Sequence, residues 1–263
     1  MNRKLSPVLK WWVTPNLPYQ YYGSGYKTWL AHPIKRRLAK IYVWILQKIL
    51  GVKVIGITGS VGKTTTKEMI NSIFSEKFPT VSSYANIDPV FNIPSTILKS
   101  PPTTNYIILE MGVEYKGDMD FYHWLVKPDI GVLLNVYWTH TEFLGGIDGV
   151  QKEKGILIAN LSPKGYAILN LDDERVSSYK GRTKARIVTF GVNKKSQVTA
   201  RNVVITDEYQ TRFDLFINGT TTGITIPVLG KHFVCSALAA AAVAYTQNIP
   251  LSLIKKGIET LKQ

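Results

Sequence analysis

Residues 52–69 read VKVIGITGSVGKTTTKEM. The apolar, β-branched run from Val52 to Ile57 has the length of a buried strand, and it stops at Thr58-Gly59-Ser60-Val61-Gly62, a string that suits neither a strand interior nor a helix interior. From Lys63 onward the apolar residues Met69, Ile70 and Ile73 recur at helical spacing, which predicts a helix over 64–76. Strand, glycine loop, Lys-Thr and helix together form a cradle for a nucleoside triphosphate. Main-chain N–H groups of the loop and the helix start face the phosphates, Lys63 reaches the β- and γ-phosphates, and the Thr64 hydroxyl holds Mg²⁺. The spacing is that of the short form Thr-Gly-x-x-Gly-Lys-Thr, Thr58 to Thr64, because the first glycine of the longer motif would fall on Ile57. The plain alternative is a glycine turn that happens to carry a lysine.

Working outward, strand-like runs at 52–57, 79–83, 106–110, 130–135, 165–170 and 186–190 alternate with helix-like stretches at 64–76, 117–125, 148–161 and 172–179. Such alternation predicts an α/β fold with a mostly parallel sheet flanked by helices. Residues 198–228 change character: three β-rich runs, two of them joined at Asn218-Gly219, predict a small antiparallel meander beside the main sheet. Two helices, 234–246 and 251–262, are expected at the end of the sequence. No internal repeat or low-complexity tract interrupts the chain.

Composition is that of a packed globular protein, with 45% hydrophobic and 19% charged residues in 263. The single cysteine, Cys235, allows no internal disulfide; a reducing, cytoplasmic compartment is expected, and Cys235 reads as a small buried hydrophobe. The charge is uneven. Ten of the fourteen net positive charges lie in residues 1–55, which hold no acid, so the other 208 residues carry only +4. Such an arm points to an anionic partner, membrane lipid or nucleic acid. Residues 1–33 are rich in Trp, Tyr, Pro and Lys with no clear element and no secretory-leader pattern. Over 34–50, Leu38, Ile41, Tyr42, Ile45, Leu46 and Ile49 share one helical face. That stripe is expected to pack on the following domain; the alternative is a helix lying on an anionic membrane at its inner face, with Trp44 near the interface.

Other candidate residues cluster at strand ends, where open α/β sheets bind ligands. Glu110 ends an apolar strand and can hold Mg²⁺ directly or through water, or can simply end the strand. His140 lies in a loop after the 130–135 strand, where a neutral imidazole can ligate a metal or orient a phosphate, or stay solvated. Lys152 and Lys154 read as the solvated face of a helix. Asn170, Asp172 and Asp173 follow a further strand and can bond a ribose or cap a helix.

Five ordered blocks then make a resemblance: GITGSVGKTTTKEM, ILEMG, KPDIGVLLNV with THTEFLGGIDGVQKEKGIL, AILNLDDERV, and LGKHFVCSALAAAAVA. Over about residues 50–263 the chain resembles the central ATP-binding domain of the Mur ligases, and the MurF type most closely. The resemblance implies an ATP-dependent amide ligase in peptidoglycan precursor synthesis that activates a carboxylate as an acyl phosphate for attack by an amine. Its substrates would be a UDP-muramoyl peptide and a D-alanyl dipeptide. By resemblance, Thr58, Gly59, Ser60, Val61, Gly62, Lys63, Thr64 and Thr65 hold ATP; Thr64, Glu110 and His140 serve Mg²⁺; Lys154 matches a lysine that such ligases carbamylate to bind a second Mg²⁺; and Asn170 and Asp172 lie towards the nucleoside. Lys63, His140 and Lys154 are the residues expected in catalysis.

The chain departs from the family pattern in three places. Phe233 and Ser236 stand where the family has asparagines that help hold adenine. A substrate segment rich in asparagine is matched loosely at 84–98 through Asn86 and Asn92. A basic arm, residues 1–50, stands where the family has a UDP-substrate domain, and neither that domain nor the C-terminal ligase domain is expected within 51–263. The competing expectation is an ATP-binding module, truncated or degenerate, that docks at a membrane through its arm and ligates nothing alone. The aromatic arm could stack on bases, but no nucleic-acid module accompanies it, so a monomer without nucleic acid is expected. Folate polyglutamylating ligases share the phosphate loop, and the EMG and THTE blocks tilt against them.

Overall fold

In the computed structural model, residues 26–84, 87–193, 195–207, 209–228 and 230–260 are described. The run at 52–57 forms β1 (Lys53–Thr58), whose pleat sends Val54 to one side and Ile55 and Ile57 to the other; all three are fully buried. A strand buried on both faces belongs inside a covered parallel sheet, and β1 sits there. β3 (Tyr106–Glu110) pairs with it in parallel on one side and β4 (Ile130–Leu133) on the other. β2 (Thr80–Ser82) lies outside β3, while β5 (Tyr166–Asn170) and β6 (Arg186–Gly191) continue beyond β4.

β7 (Val198–Ile205), β8 (Thr211–Ile217) and β9 (Thr220–Ile226) form the expected antiparallel meander. It is joined to the main sheet rather than set beside it, because β7 pairs in parallel with the end of β6, giving one sheet of nine strands in the order β2-β3-β1-β4-β5-β6-β7-β8-β9. At the β8–β9 turn Asn218 and Gly219 have φ of 47° and 84°, the two left-handed residues that a tight hairpin turn requires.

Helices cover both faces. α1 (Tyr26–Lys48), α3 (Pro89–Lys99), α4 (Asp118–Leu125) and α6 (Ile147–Ala159) pack on the face that carries Val54, Ile107, Leu109 and Leu169. α2 (Lys63–Ser75), α8 (Lys231–Thr246) and α9 (Leu251–Glu259) pack on the other, against Ile55, Ile57, Ile108 and Ile168. The one-turn helices α5 (Thr141–Leu144) and α7 (Glu174–Ser177) lie in loops, and α7 passes into a 3₁₀ turn over Ser178–Gly181 in place of the longer helix expected at 172–179. α3 was not expected from the periodicity, since Pro94 lies inside it. Its signal is at its start: Asp88 caps it by accepting from the Val90 N–H at 2.8 Å, and Pro89 occupies the first helical position, where a missing N–H costs nothing.

The largest correction concerns α1. Its expected stripe of Leu38, Ile41, Tyr42, Ile45, Leu46 and Ile49 is split: Leu46 is buried and Tyr42 packs on the domain beside Ala39, Val43 and Arg36, Ile45 is half-buried, and Leu38, Ile41 and Ile49 are exposed. Residues 1–25, including the aromatic arm, lie outside the described residues, as does Asn86.

α2 and α9 touch at Gly257, where an added Cβ would lie 2.5 Å from Ile73 Cα and 2.7 Å from its N. Backbone cannot yield as a side chain can. Gly257→Ala is therefore expected to destabilise the fold by roughly 1–3 kcal/mol despite alanine's better helix propensity. A thermal melt checks this, and an unchanged midpoint would mean that the two helices separate at no cost.

Candidate active site

The strand order reverses direction around β1. The chain leaves β1 toward β2 and β3 on one side, then crosses back to β4 on the other, so the carboxyl end of β1 is the switch point where ligands bind in open α/β sheets. The phosphate loop lies there, between Glu110 at the end of β3 and Asn135 just past β4. Gly59 at φ 158° and Gly62 at φ 83° bend the loop, and a Cβ on Gly59 would sit 2.8 Å from Leu134 Cβ.

Asn135 holds the loop. Its Oδ1 accepts from the N–H groups of Ser60 and Val61, both at 2.9 Å, and its Nδ2 donates to Val61 O at 3.1 Å. The Ser60 hydroxyl is bonded to Tyr137 and Thr139 of the same segment. The amides of Ser60 and Val61 are thus turned to Asn135, and the donors left to face a phosphate are those of the first turn of α2, Lys63 to Thr65, which have no acceptor within the helix. Gly62 caps that helix without a side-chain bond, so its positive end is open to an anion. Sequence reading missed Asn135; the signal was its position immediately after a strand next to the loop.

Glu110 is placed by a relay of neighbours. The fully buried Lys67 donates to Ser83 O at 2.6 Å, the Ser83 hydroxyl takes the Glu110 N–H at 3.0 Å, and Glu110 Oε2 accepts from Thr64 Oγ1 at 2.9 Å. Hydroxyl and carboxylate side by side are two hard oxygens, a donor set that fits Mg²⁺ when phosphate and water complete its shell.

Around this pair a cavity of about 160 Å³ brings together Lys63, His140 and Lys154 with Asp88, Glu110 and Glu114. Three of these residues were expected to meet here with Glu110, and Asp88 and Glu114 were not. Lys63 Nζ reaches back to Gly59 O at 3.1 Å; burial lowers its pKa, with Glu110 opposing. Burial raises that of Asp88, and Glu114 adds to the rise against the capping bond from Val90. His140 is exposed on the cavity rim with φ at 53°, a backbone region that few residues other than glycine take.

Of the two readings of Lys154, the solvated helix face does not hold: only 1% of it is exposed, whereas Lys152 is exposed, and it lines the cavity. Burial, then repulsion from Lys63, lowers its pKa to about 7, against a small opposing effect of Glu153. Its helix is fastened by Glu153, which accepts from the N–H groups of Gly117 and Met119 at 2.9 and 3.0 Å.

Towards the far end of the loop, Asn170 Nδ2 donates to Leu134 O at 2.9 Å and approaches Cys235 Sγ at 3.6 Å. Asp172 accepts from the N–H groups of Val192 and Asn193 at 2.6 and 3.0 Å, and the helix cap falls to Asp173. These side chains hold strand ends together. The Cys235 thiol is pushed up to about 12 by burial and the nearby Asp172 and Asp173, as suits an inert packing residue. Ser236 packs on the phosphate loop, 3.2 Å from where a Cβ on Gly62 would lie. Asn92 is buried and clamps Tyr84 through bonds to its N–H and C=O, at 3.3 and 2.7 Å.

Known proteins share this fold. The family model described as the Mur ligase middle domain matches residues 57–244. UDP-N-acetylmuramoyl-tripeptide--D-alanyl-D-alanine ligases of Buchnera aphidicola and Bacillus subtilis are each 34% identical, over 85% and 86% of this chain and 48% of theirs. The crystal structure of MurF from Acinetobacter baumannii superposes with a TM-score of 0.80 at 28% identity, covering 87% of this chain and 50% of that one. MurF from Thermotoga maritima, solved in complex with ADP, shares the fold with a TM-score of 0.79 at 21% identity, over 89% of this chain and 53% of its own. The chain spans about half the length of the curated relatives it matches.

Proposed function

The chain belongs to the Mur ligase family through its middle domain, and from that premise we propose that it carries the ATP site of a MurF-type amide ligase. The reaction joins a D-alanyl dipeptide to a UDP-muramoyl tripeptide in peptidoglycan precursor synthesis. The observation that carries this reading is the cavity in which Ser60 and Lys63 of the phosphate loop, the buried Lys154 and Glu110, itself bonded to Thr64, meet. A nucleotide-binding scaffold needs the loop alone; a ligase also needs charge control beyond the γ-phosphate.

ATP·Mg²⁺, when bound, supplies the phosphoryl group and part of the charge neutralisation. Lys63 and the first amides of α2 hold the phosphate chain in line, and Thr64 with Glu110 would hold the ion. The substrate carboxylate attacks the γ-phosphorus and ADP leaves. The amine nitrogen then attacks the acyl carbon, phosphate leaves, and the amine gives up a proton. The site's work is positioning and electrostatics, since each step gathers negative charge at one place.

Lys154 fits a further role. With its pKa near 7, a large fraction of the amine is neutral at physiological pH and can take up CO₂. The amine nitrogen bonds to the carbon of CO₂ and releases a proton, giving a carbamate anion; its oxygens, with His140, would hold a second Mg²⁺. Asn170 and Asp172 set the loop ends that border the nucleoside. The protein works as a monomer in the cytoplasm, against the inner face of the membrane.

The test is direct. The native protein is incubated with ATP, Mg²⁺, UDP-muramoyl tripeptide and D-alanyl-D-alanine, and ADP and the UDP-muramoyl pentapeptide are measured. Equal amounts of both products are expected. ADP binding with no peptide product would leave a nucleotide-binding module, and product with a free amino acid in place of the dipeptide would move the chain to another ligase type.

A further inference from the structure

α1 is apolar on its outer side as well as its inner one. Towards the domain it buries His32, Arg36, Ala39, Val43 and Leu46, with Arg36 fully covered and set over the Phe121 ring at 6.0 Å. Towards solvent it presents Ile34, Leu38, Ile41 and Trp44, with Ile49 just past its end, all between 51% and 64% exposed. An ordinary surface helix carries polar residues on its outer face. The helix cannot simply roll its apolar side inward, because side-chain bonds pin it. Lys35 Nζ donates to Ser95 Oγ at 2.6 Å, Tyr42 OH to Ser100 O at 2.7 Å, and Gln47 Nε2 to Lys127 O at 2.7 Å.

We propose that this outward face of α1 docks flat on an anionic lipid surface. The inference rests on the location given above and not on the ligase reaction. Charge selects the occupant. At 100° per residue Arg37 and Lys48 fall within the same outward arc as the apolar residues. Residues 1–55 contain ten Lys and Arg and no acid. Apolar side chains flanked by cations, with a Trp at the edge of the stripe, match the boundary between acyl chains and acidic headgroups. A second copy of the chain is the wrong partner, since pairing two such faces would bring like charges together with no acid on either arm to offset them. The stripe runs from Ile34 to Ile49, about 23 Å of helix, so the helix lies along the surface. Among the described residues no helix is long and apolar enough to cross a membrane.

The full chain is sedimented with vesicles of phosphatidylcholine alone and of phosphatidylcholine with phosphatidylglycerol. Binding to the mixed vesicles only, weakened by salt, is expected. Lys48→Gln should lower the partition coefficient about fivefold. Leu38→Glu with Ile41→Glu should lower it by about tenfold or more. Both variants should melt at the wild-type temperature, because neither touches the packed side of the helix. Equal binding to neutral vesicles, or no binding to either, overturns the proposal. So does a lowered melting temperature in the double variant, which would mean that protein, such as residues 1–25, already covers the stripe. A wild-type dimer that the double variant dissolves, read by light scattering, would assign the face to a second copy instead.

Discussion

Replacing Lys63 with methionine is expected to weaken ATP·Mg²⁺ binding by about a hundredfold or more, measured by calorimetry on the whole chain. The ammonium is already partly desolvated in the free protein, which is why its pKa is lowered, and only Glu110 opposes that effect. A triphosphate would supply a far stronger anionic partner than Glu110 alone. A charge-assisted bond of this kind in a shielded site contributes roughly 2–4 kcal/mol, and each 1.4 kcal/mol is a factor of about ten. Methionine keeps the length of the side chain and removes the charge, so the loop conformation, held by Asn135, should survive. Lys63→Arg should not restore binding, because the guanidinium is a planar fork in a place shaped for a point charge. Binding within threefold of wild type in the methionine variant would remove the phosphate loop from the account of this protein.

The second large effect has the opposite sign for stability. Lys154→Met is expected to raise the stability of the nucleotide-free protein at pH 7 by a few kcal/mol while abolishing turnover. The folded protein holds this amine at a pKa of about 7, against 10.5 for a free lysine. Between those values the unfolded chain binds a proton that the folded one does not. Stability therefore falls as pH is lowered from about 10.5 and levels off below about 7. Methionine fills the same space with no charge to desolvate, so the variant should melt several degrees higher at pH 7 and lose the slope between pH 7 and pH 10. Melts in CO₂-depleted buffer measure this. Added bicarbonate should then raise the wild-type midpoint and leave the methionine variant unmoved, as carbamate formation requires. A variant less stable than wild type at pH 7, or one with the same pH slope, would show that Lys154 is not held neutral by its surroundings.

Much of this architecture was legible in the residue order because its causes are local. A β-branched run, a glycine loop and a helical period define β1, the phosphate loop and α2 without reference to the rest of the chain. Asn218-Gly219 determines its turn because both residues accept positive φ. The strand-end rule placed Glu110, and Thr64 meets it at 2.9 Å. One element was missed for a local reason too. Pro94 hid α3, although Asp88 and Pro89 announced its start.

By itself, then, the sequence determined the order of the strands and of most helices, the phosphate loop and the chemical types gathered near it. Tertiary structure alone decided which side of α1 faces water, that Asn135 takes the amides of Ser60 and Val61, and that Lys154 is buried 1% exposed beside Lys63. The physical reason is that a helical period shows which residues share a face but not where the neighbours lie. Burial of a charge, and with it the pKa that governs its chemistry, is set by side chains far away in the sequence.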